Sequence, residues 1–552
     1  MDGNEGTRYN WRRSDDFIVS IVSFTIDINH MVYFPFMMSE LGGWYFLIPF
    51  ALSNFLFIYP LLCIESIIGQ YTKKNFFGLW KICPIFSGIV WSLYYIVNCF
   101  QKVLPWDTCG NEWNTMSCIK GLSRYEMEKK ISSQEEFFKN KMLRINLIEK
   151  VQIGDFNEEL AIYLFFVFIL LYYFVYNSIK SMLKIVWISS VIPIFTIFIM
   201  LINGITLPIM AEKSPVEYLT LSSNVSKISQ IATWNEAFLS LMVSMATGRG
   251  IHHTFSSYNL PHFPIFLHCQ TNNFINAGLT VAGGFILYVH LLATTGPEYV
   301  LKSESFATIF ILFTSILSSM PIPQLWCFLF YYMVFIIGLS KSCGIMDVII
   351  SGIMEEHSDT FERLNLDRKK VGLILLVIMY ILSMPYICSG GYFLVHFFVK
   401  HTERYWTAVC LLYELIALCW FYGLDKISNH VQEMLCLPLG WVMRLILKVI
   451  IPIMLMVGVY ESIKDTSVPD VVINQKAFSF SGEWILFKKV ILALPIVLIF
   501  VKMFFEIHHY RKMGYRKPLK LFAHLVTPPN EQKFITDEGY CIRTYLTHYA
   551  KI

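Results

Sequence analysis

Long apolar runs separated by short polar stretches are the dominant pattern along this chain. A membrane-crossing helix needs about 20 mostly apolar residues, and a run of 18 or more with few charges predicts one. The pattern therefore predicts an all-α polytopic membrane protein with about twelve transmembrane helices. The expected spans are Phe17–Met37, Trp44–Ile68, Ile82–Leu104, Leu160–Tyr176, Ile185–Leu207, Ile231–Phe255, Phe274–Thr295, Leu325–Ile350, Val371–Ile387, Tyr392–Phe421, Trp441–Val459 and Ile485–Phe505.

Two of these runs are interrupted by polar residues near their middle. In the first span Asp27, Asn29 and His30 precede Pro35, and in the sixth span two glycines flank Arg249. Helices broken in corresponding places of two halves are typical of the midplane binding site of a secondary transporter. We therefore expect both stretches to line a cavity rather than to face lipid.

Composition agrees with this class of protein and excludes others. Of 552 residues, 55% are hydrophobic and 15% are charged, and the mean hydropathy is +0.52. The net charge of +4 is small, and the basic residues lie between apolar runs, so nucleic acid is not an expected partner. The sequence shows no nucleophile–base arrangement and no phosphate loop, so an enzyme is not expected.

Basic residues between the spans predict the orientation, because short cytoplasmic loops are enriched in Lys and Arg. The clusters that fall on one side are Arg12, Arg13, Lys73, Lys74, Lys180, Lys184, Arg368, Lys369, Lys370, Arg511, Lys512, Arg516, Lys517 and Lys520. Both termini are therefore expected in the cytoplasm, at the plasma membrane. The polar first segment lacks a cleavage-type ending, so the first span is expected to insert by itself. The expected divisions are a tail over 1–16, a core over 17–423 with an outer loop over 105–159, spans eleven and twelve over 424–506, and a tail over 507–552.

The outer face is expected to hold a disulfide and a glycan. Cys109 and Cys118 lie close together in the long outer loop, which favours a disulfide over two unpaired thiols. The other eleven cysteines lie mostly in or beside apolar runs and are expected to be free thiols. Asn224, in Asn-Val-Ser, is a glycosylation acceptor in the predicted outer loop before the sixth span.

Four ionisable residues inside the spans are candidates for a site: Asp27, His30, Arg249 and Lys341. Ionisable residues within a membrane are costly and by default mark a pathway or a binding site. The alternative is that each pairs internally or extends to a helix end.

A series of motifs connects these positions to a known family. Phe34-Pro35 is followed by GGWYFLIPF (42–50), YPLLCIESIIGQY (59–71), LPWDTCGNEWNTMSC (104–118) and WNEAFLSLMVSM (234–245), and the series continues with SSYN (256–259), MPIPQLW (320–326) and WFYG (420–423). In this order, the chain resembles the neurotransmitter:sodium symporter family. The resemblance implies two inverted five-helix repeats plus two further helices, and transport of amino acids or amines with sodium and often chloride.

The resemblance also implies positions for the substrate and the ions. Asp27 falls where monoamine carriers have an aspartate that pairs with the substrate amine and where amino-acid carriers have glycine, which implies an amine-bearing substrate. Ser244 and Asn276 match a serine and an asparagine that ligate one sodium and border chloride. The implied substrate positions are Asp27, Val243, Ser244 and Arg249. The implied sodium positions are Thr25, His30, Ser244, Asn276, Ile337, Ser340 and Lys341.

The chain departs from the family pattern at the ions. His30 replaces an asparagine that ligates sodium, and the family's Leu-Gly-Leu-Asp-Ser appears as Ile-Gly-Leu-Ser340-Lys341. An ammonium there would either repel sodium or substitute for it as a built-in cation. The implied chloride positions are Phe50, Ser240, Ser244, Asn276 and Thr280, of which Phe50 and Ser240 replace a tyrosine and a glutamine.

The outer gate and the third span depart as well. Tyr33 and Val399 stand where the family has an arginine and its acidic partner, so closure is expected to depend on aromatic packing. Between Pro84 and Pro105 the chain is shorter than the family pattern by roughly one membrane crossing. An alternative splice form or gene-model boundary would produce the same shortening.

Two functions fit the sequence. In the first, the protein is a carrier in which Asp27 holds an amine and Arg249 a carboxylate, driven by sodium or by a proton on His30. In the second, it is a non-transporting relative in which Asp27 and Arg249 neutralise each other and fill the pocket. Possible sodium and chloride ions are the only ligands expected besides a small amine or amino acid, with no other cofactor.

Overall fold

The computed structural model describes residues 11, 13–72, 83–120, 130–145, 151–206, 223–260, 262–294, 308–464, 471–473, 476–478, 480 and 482–512. These residues are overwhelmingly helical, as the apolar runs predict. The predicted tails fall largely outside the described residues, since the first helix begins at Ser14 and the last ends at Lys512.

The first half of the chain forms six long helices. They are α1 (Ser14–Thr25), α2 (Ile28–Glu40), α3 (Gly43–Thr72), α4 (Cys83–Asn98), α5 (Glu158–Val175) and α6 (Ile179–Ile205). The outer loop between α4 and α5 contains a short helix at Ser133–Glu136, continued by a π-turn at Phe137–Met142. It also contains a parallel strand pair, Cys118–Ile119 with Ile131–Ser132.

The second half follows the same plan. Its helices are α7 (Ile231–Ser244), α8 (Ile251–Ser256), α9 (Ile265–Thr294), α10 (Thr308–Ser318), α11 (Pro323–Glu356), α12 (Arg368–Ser383), α13 (Gly391–His401), α14 (Glu403–Leu415), α15 (Leu424–Leu435), α16 (Trp441–Lys464) and α17 (Gly482–Lys512). Shorter helical turns lie at Val225–Ser229, Ser358–Arg363, Met384–Ile387 and Ile416–Gly423. An antiparallel strand pair, Val471–Ile473 with Lys476–Phe478, precedes α17.

The helix lengths confirm a protein that crosses the membrane many times. Within the described residues, 8 helical runs are long and apolar enough to span a bilayer. The remaining predicted spans are the two interrupted ones, the short α4 and the long α9, whose run of asparagines lowers its hydropathy.

The third predicted span ends earlier in the structure than expected. It was expected to continue to Leu104, but α4 ends at Asn98. Asn98 and Gln101 follow its apolar part, and the Asn98 side chain donates to the carbonyl of Tyr94. The tenth was expected as one run, and it lies within one helical run, Gly391–Leu435, with a one-residue break at Thr402 between α13 and α14.

The cysteines agree with one expectation and contradict another. Cys109 and Cys118 form the predicted disulfide, with their Cα atoms 5.7 Å apart. Cys436 is also disulfide-bonded, so the expectation that all other cysteines are free is wrong at this position. The exposed Asn224 lies beside Ser226, whose backbone N–H donates to the asparagine side chain. Its glycosylation stays a prediction.

Both predicted interruptions are present, and local backbone chemistry explains them. Helix α1 stops at Thr25, and Ile26 takes an extended conformation with φ −59° and ψ 119°. After α7, three residues within five have positive φ: Ala246 at 55°, Gly248 at 68° and Gly250 at 74°. A continuous helix is impossible through such residues, and glycine adopts this conformation at little cost.

Candidate functional site

The first interruption holds an ion pair between two of the predicted mid-membrane charges. Asp27 lies between α1 and α2, and its Oδ1 is 3.2 Å from the Nζ of Lys341 on α11. Both side chains are largely buried, at 15% exposed for Lys341 and 16% for Asp27. A charge in a low-dielectric region is stable only with such a partner. The partner of Asp27 is therefore Lys341, and the expected pairing with Arg249 is wrong.

The second interruption holds another ion pair. Nη2 of Arg249 donates to Oε1 of Glu403 over 2.7 Å. Glu403 is the first residue of α14, immediately after the break at Thr402. The sequence analysis did not select Glu403, although a Glu-Arg pair inside a predicted span is a recognisable signal.

A buried glutamate on α3 stabilises the second interruption. Oε1 of Glu65, on α3, accepts a hydrogen bond of 2.6 Å from the backbone N–H of Gly248. Glu65 is 1% exposed, so its carboxyl takes the place of the helical partner that this N–H lacks. Glu65 was not among the predicted site residues, although an acid within the apolar run of α3 indicates a buried polar contact.

The first predicted sodium position retains buried oxygen atoms. The amide nitrogen of Asn276 donates to the backbone oxygen of Thr25 over 2.6 Å, which places Asn276 at the end of α1. Its Oδ1 and the Oγ of Ser244, the last residue of α7, have no hydrogen-bond partner among the described residues. The hydroxyl of Thr25 donates to Oδ1 of Asn272 over 2.8 Å. His30 lies in α2, but its side chain is outside the part of the chain that the structure describes.

The second predicted sodium position is occupied by the protein's own groups. The hydroxyl of Ser340 is 2.7 Å from that of Ser23, which is 2.5 Å from that of Ser189. These contacts connect α11, α1 and α6 through a chain of hydroxyls. Ile337 is buried one turn before, and Lys341 directs its ammonium to Asp27. The retained oxygens satisfy one another, and the cationic side chain at this position, Lys341, pairs with Asp27.

The predicted chloride position has lost donors. The ring of Phe50 packs on Phe34, with centroids 4.8 Å apart, and offers no hydrogen-bond donor. The hydroxyl of Ser240 donates to the carbonyl of Ala237 over 3.0 Å within its own helix. Thr280 remains as a buried hydroxyl one turn after Asn276.

One of the two predicted outer-gate positions, Tyr33, lies beside an ion pair. Nη2 of Arg404, on α14, lies 2.5 Å from Oε1 of Glu236, on α7. The same guanidinium lies over the ring of Tyr33, 5.9 Å from its centroid. Val399 is partly buried on α13, one turn before Glu403. Val243 is half-buried beside Ser244, where α7 ends.

Comparison with known proteins identifies the family. The chain is 26% identical to the sodium-dependent dopamine transporter of Caenorhabditis elegans, over 78% of this chain and 76% of that relative. It is 26% identical to the sodium-dependent serotonin transporter of Drosophila melanogaster, over 82% of this chain and 76% of that relative. It is 24% identical to the sodium-dependent dopamine transporter of Bos taurus, over 77% of this chain and 65% of that relative.

The family match covers most of the chain in two parts. The sequence pattern of the Sodium:neurotransmitter symporter family matches residues 8–92 and 88–509. The two matched parts overlap at residues 88–92, inside α4, in the segment that was predicted to be shorter than the family pattern. Together they cover the paired interruptions and nearly all of the described helices. The chain therefore belongs to the sodium:neurotransmitter symporter family.

Proposed function

We propose that this protein is a secondary active transporter of an amine-bearing solute, either an amino acid or a biogenic amine, across the plasma membrane. It is driven by sodium at the first ion position, and both termini are cytoplasmic. The observation that supports this best is the pair of buried oxygens, Ser244 Oγ and Asn276 Oδ1, left without partners beside the two interruptions. The relatives' names, which refer to dopamine and serotonin, support an amine as one solute class.

The unpartnered oxygens fit a sodium ion. A buried acceptor without a partner costs about 1–3 kcal/mol, so such atoms are retained where a ligand satisfies them. Sodium is a hard cation that prefers oxygen ligands. Ser244 supplies one at the end of α7, and Asn276, on α9, supplies one beside the end of α1.

The second ion position does not fit a sodium ion. Two unit positive charges 4 Å apart repel by about 4 kcal/mol at an effective dielectric constant of 20. Lys341 lies in this position, and its ammonium already balances Asp27. One sodium per cycle is therefore proposed, with Lys341 as a fixed cation in place of the second. Chloride coupling is weak in this proposal, because Phe50 has no donor.

The substrate amine competes with Lys341 for Asp27. A carboxylate binds a substrate ammonium by a charge-assisted hydrogen bond, which is strong in a dry site. Because Lys341 reaches Asp27 from α11, substrate binding would release its ammonium toward the cavity. A substrate carboxylate would in the same way compete with Glu403 for Arg249.

Uptake into proteoliposomes tests the proposal. A panel of radiolabelled amines and amino acids is offered with sodium, with choline replacing sodium, and with a proton gradient alone. We expect uptake of at least one solute that depends on sodium along a hyperbolic rather than a sigmoidal curve. Uptake driven only by the proton gradient would instead favour His30 as the coupling residue.

Variants of the Asp27–Lys341 ion pair test whether Asp27 binds the substrate amine. Asp27→Ala is expected to abolish uptake, while Asp359→Ala, at an exposed acid between α11 and α12, is expected to leave it unchanged. Because Asp27→Ala leaves Lys341 without its partner, the double variant Asp27→Ala/Lys341→Met removes both charges and keeps the chain folded. Uptake by that double variant equal to the parent would contradict the role of Asp27.

The alternative is a non-transporting relative, and one observation favours it. Both mid-membrane charges that a substrate would use, Asp27 and Arg249, are already neutralised within the protein. This alternative predicts no uptake of any solute with or without sodium. It also predicts that a neutral variant, Arg249→Met, gains uptake by opening the pocket.

A further inference from the structure

Four charged residues lie where α7 and the second interruption approach α14. Helix α7 contributes Glu236, and the segment after it contributes Arg249. Helix α14 contributes two neighbouring residues, Glu403 and Arg404. The two elements therefore present an acid and a base each.

These residues form two ion pairs of opposite polarity. Arg249 pairs with Glu403 at 2.7 Å, and Glu236 pairs with Arg404 at 2.5 Å. In the first pair the base belongs to the sixth span, and in the second it belongs to the tenth. Opposite polarity fixes the register of the two elements, because a shift of α14 by one residue would bring like charges together.

A third element joins the outer pair. The guanidinium of Arg404 lies over the ring of Tyr33 on α2, 5.9 Å from the centroid. A cation over a tyrosine face is attracted by the ring, more strongly where water is excluded. Arg404 thus connects the first, sixth and tenth spans at one point.

The two pairs differ in depth along α7. Glu236 lies in the second turn of this helix, whereas Arg249 follows its last residue, Ser244, by five positions. The backbone supports the deeper contact: a Cβ placed on Gly248, beside Arg249, would lie 3.2 Å from the carbonyl oxygen of Thr407, one turn after Glu403. The interruption therefore lies directly against α14, with the deeper pair at its level and the other pair toward the outer mouth.

We propose that the two pairs, Glu236–Arg404 and Arg249–Glu403, form the outer gate of this transporter, closing the cavity between the sixth and tenth spans. The gate replaces a contact between the first and tenth spans, whose two positions are Tyr33 and Val399 here. Opening requires α14 to separate from α7, which breaks both pairs and removes Arg404 from Tyr33. This inference depends on the proposed carrier function, since a gate is useful only to a protein that alternates access.

A labelling experiment on purified, reconstituted full-length protein tests the gate without using transport. Val243→Cys places a thiol on α7 between Glu236, which pairs with Arg404, and the interruption that contains Arg249. The readout is its rate of reaction with a membrane-impermeant thiosulfonate added from outside, after subtracting the rate of the parent chain. We expect slow labelling when both pairs are intact.

Loss of either charge should open the mouth. Glu236→Gln and Arg404→Gln are each expected to raise the labelling rate roughly tenfold, a change equivalent to about 1.4 kcal/mol. Glu236→Asp keeps the charge but shortens the side chain, and an intermediate rate is expected. The reversed pair, Glu236→Arg with Arg404→Glu, is expected to return the rate toward that of the parent.

The matched control is an ion pair of the same face outside the gate. Asp107 pairs with Lys120 at 3.0 Å in the outer loop, so Asp107→Asn removes an outer charge without touching α7 or α14. The gate is refuted if this control raises labelling as much as Glu236→Gln does, or if the reversed pair labels as fast as the single variants. Charge-dependent labelling in a protein that takes up no solute would overturn the proposed carrier function, while showing only that the two ion pairs close the cavity; charge-independent labelling in a protein that takes up solute would overturn the gate alone.

Discussion

At the scale of single residues, we propose that the second ion position has lost its sodium ion without leaving a hole. Ser340 stands where the family resemblance implies an aspartate, and its hydroxyl contacts Ser23, which contacts Ser189. Lys341 forms an ion pair with Asp27. Each of the two residues therefore has its own partner, so neither leaves an unpaired polar group.

Reversing these two substitutions should restore a sodium ion. In the variant Ser340→Asp/Lys341→Ser, a carboxylate returns and the ammonium that repels sodium is removed. Uptake measured against sodium concentration is expected to change from hyperbolic to sigmoidal, because two ions then bind per cycle. A curve that stays hyperbolic would contradict the assignment of this position. Lys341→Arg, which keeps the charge, is the control and should stay hyperbolic.

At the scale of elements, the interruption after α7 depends on backbone conformation as much as on charge. Gly248 has φ 68°, and a Cβ there would lie 3.0 Å from the Cβ of Leu411. The N–H of Gly248 also donates to Glu65, which fixes its position against α3. The segment is thus held between two helices in a conformation that other residues adopt with strain.

Replacing this glycine should destabilise the break. Gly248→Ala is expected to cost about 1–3 kcal/mol, through strain at positive φ and the close contact with α14. The measurement is the thermal midpoint of the detergent-solubilised protein. Gly278→Ala, in the interior of α9 with nothing within 4 Å of the added Cβ, is the control and is expected to be neutral or slightly stabilising. Equal shifts in the two variants would contradict the explanation.

Helix α4 shows a different use of packing at the same scale. It makes close contact with α11, where a Cβ on Gly338 would lie 2.6 Å from Ile89. At its outer end Tyr95 stacks on Tyr331, with centroids 4.5 Å apart, and donates to the carbonyl of Phe310 over 3.2 Å.

At the scale of the whole molecule, the outer loop is a separately stabilised cap. The disulfide between Cys109 and Cys118 closes a turn that contains Asn114 and Thr115. Glu136, outside this turn, accepts one hydrogen bond from the side chain of Asn114 and another from the backbone N–H of Thr115. The double variant Cys109→Ser/Cys118→Ser is expected to lose about 2–4 kcal/mol of loop stability. Protease sensitivity of the loop on intact cells measures this. Cys63→Ser, a buried free thiol, is the control.

The predicted topology can be checked from the same face. If the loop before α7 is extracellular, Asn224 is glycosylated and Asn224→Gln runs faster on a denaturing gel. Enzymatic removal of N-glycans from the parent chain should produce the same mobility. If the parent and the variant migrate identically before and after that treatment, Asn224 is not glycosylated, and only the basic loops support the predicted orientation. Asn203→Gln, on α6 and outside any acceptor tripeptide, should not change the mobility.

The sequence by itself determined the class of fold, the approximate limits of most spans, the two interruptions and the outer disulfide. These features are local: they follow from the length of an apolar run, the position of glycine and polar residues within it, and two cysteines in one loop. Tertiary structure alone decided the partners of the buried charges. Asp27 pairs with Lys341, which is 314 positions away in sequence, and Arg249 pairs with Glu403. Charge pairing in a membrane depends on which helices meet and at what depth, and periodicity along one run contains no such information.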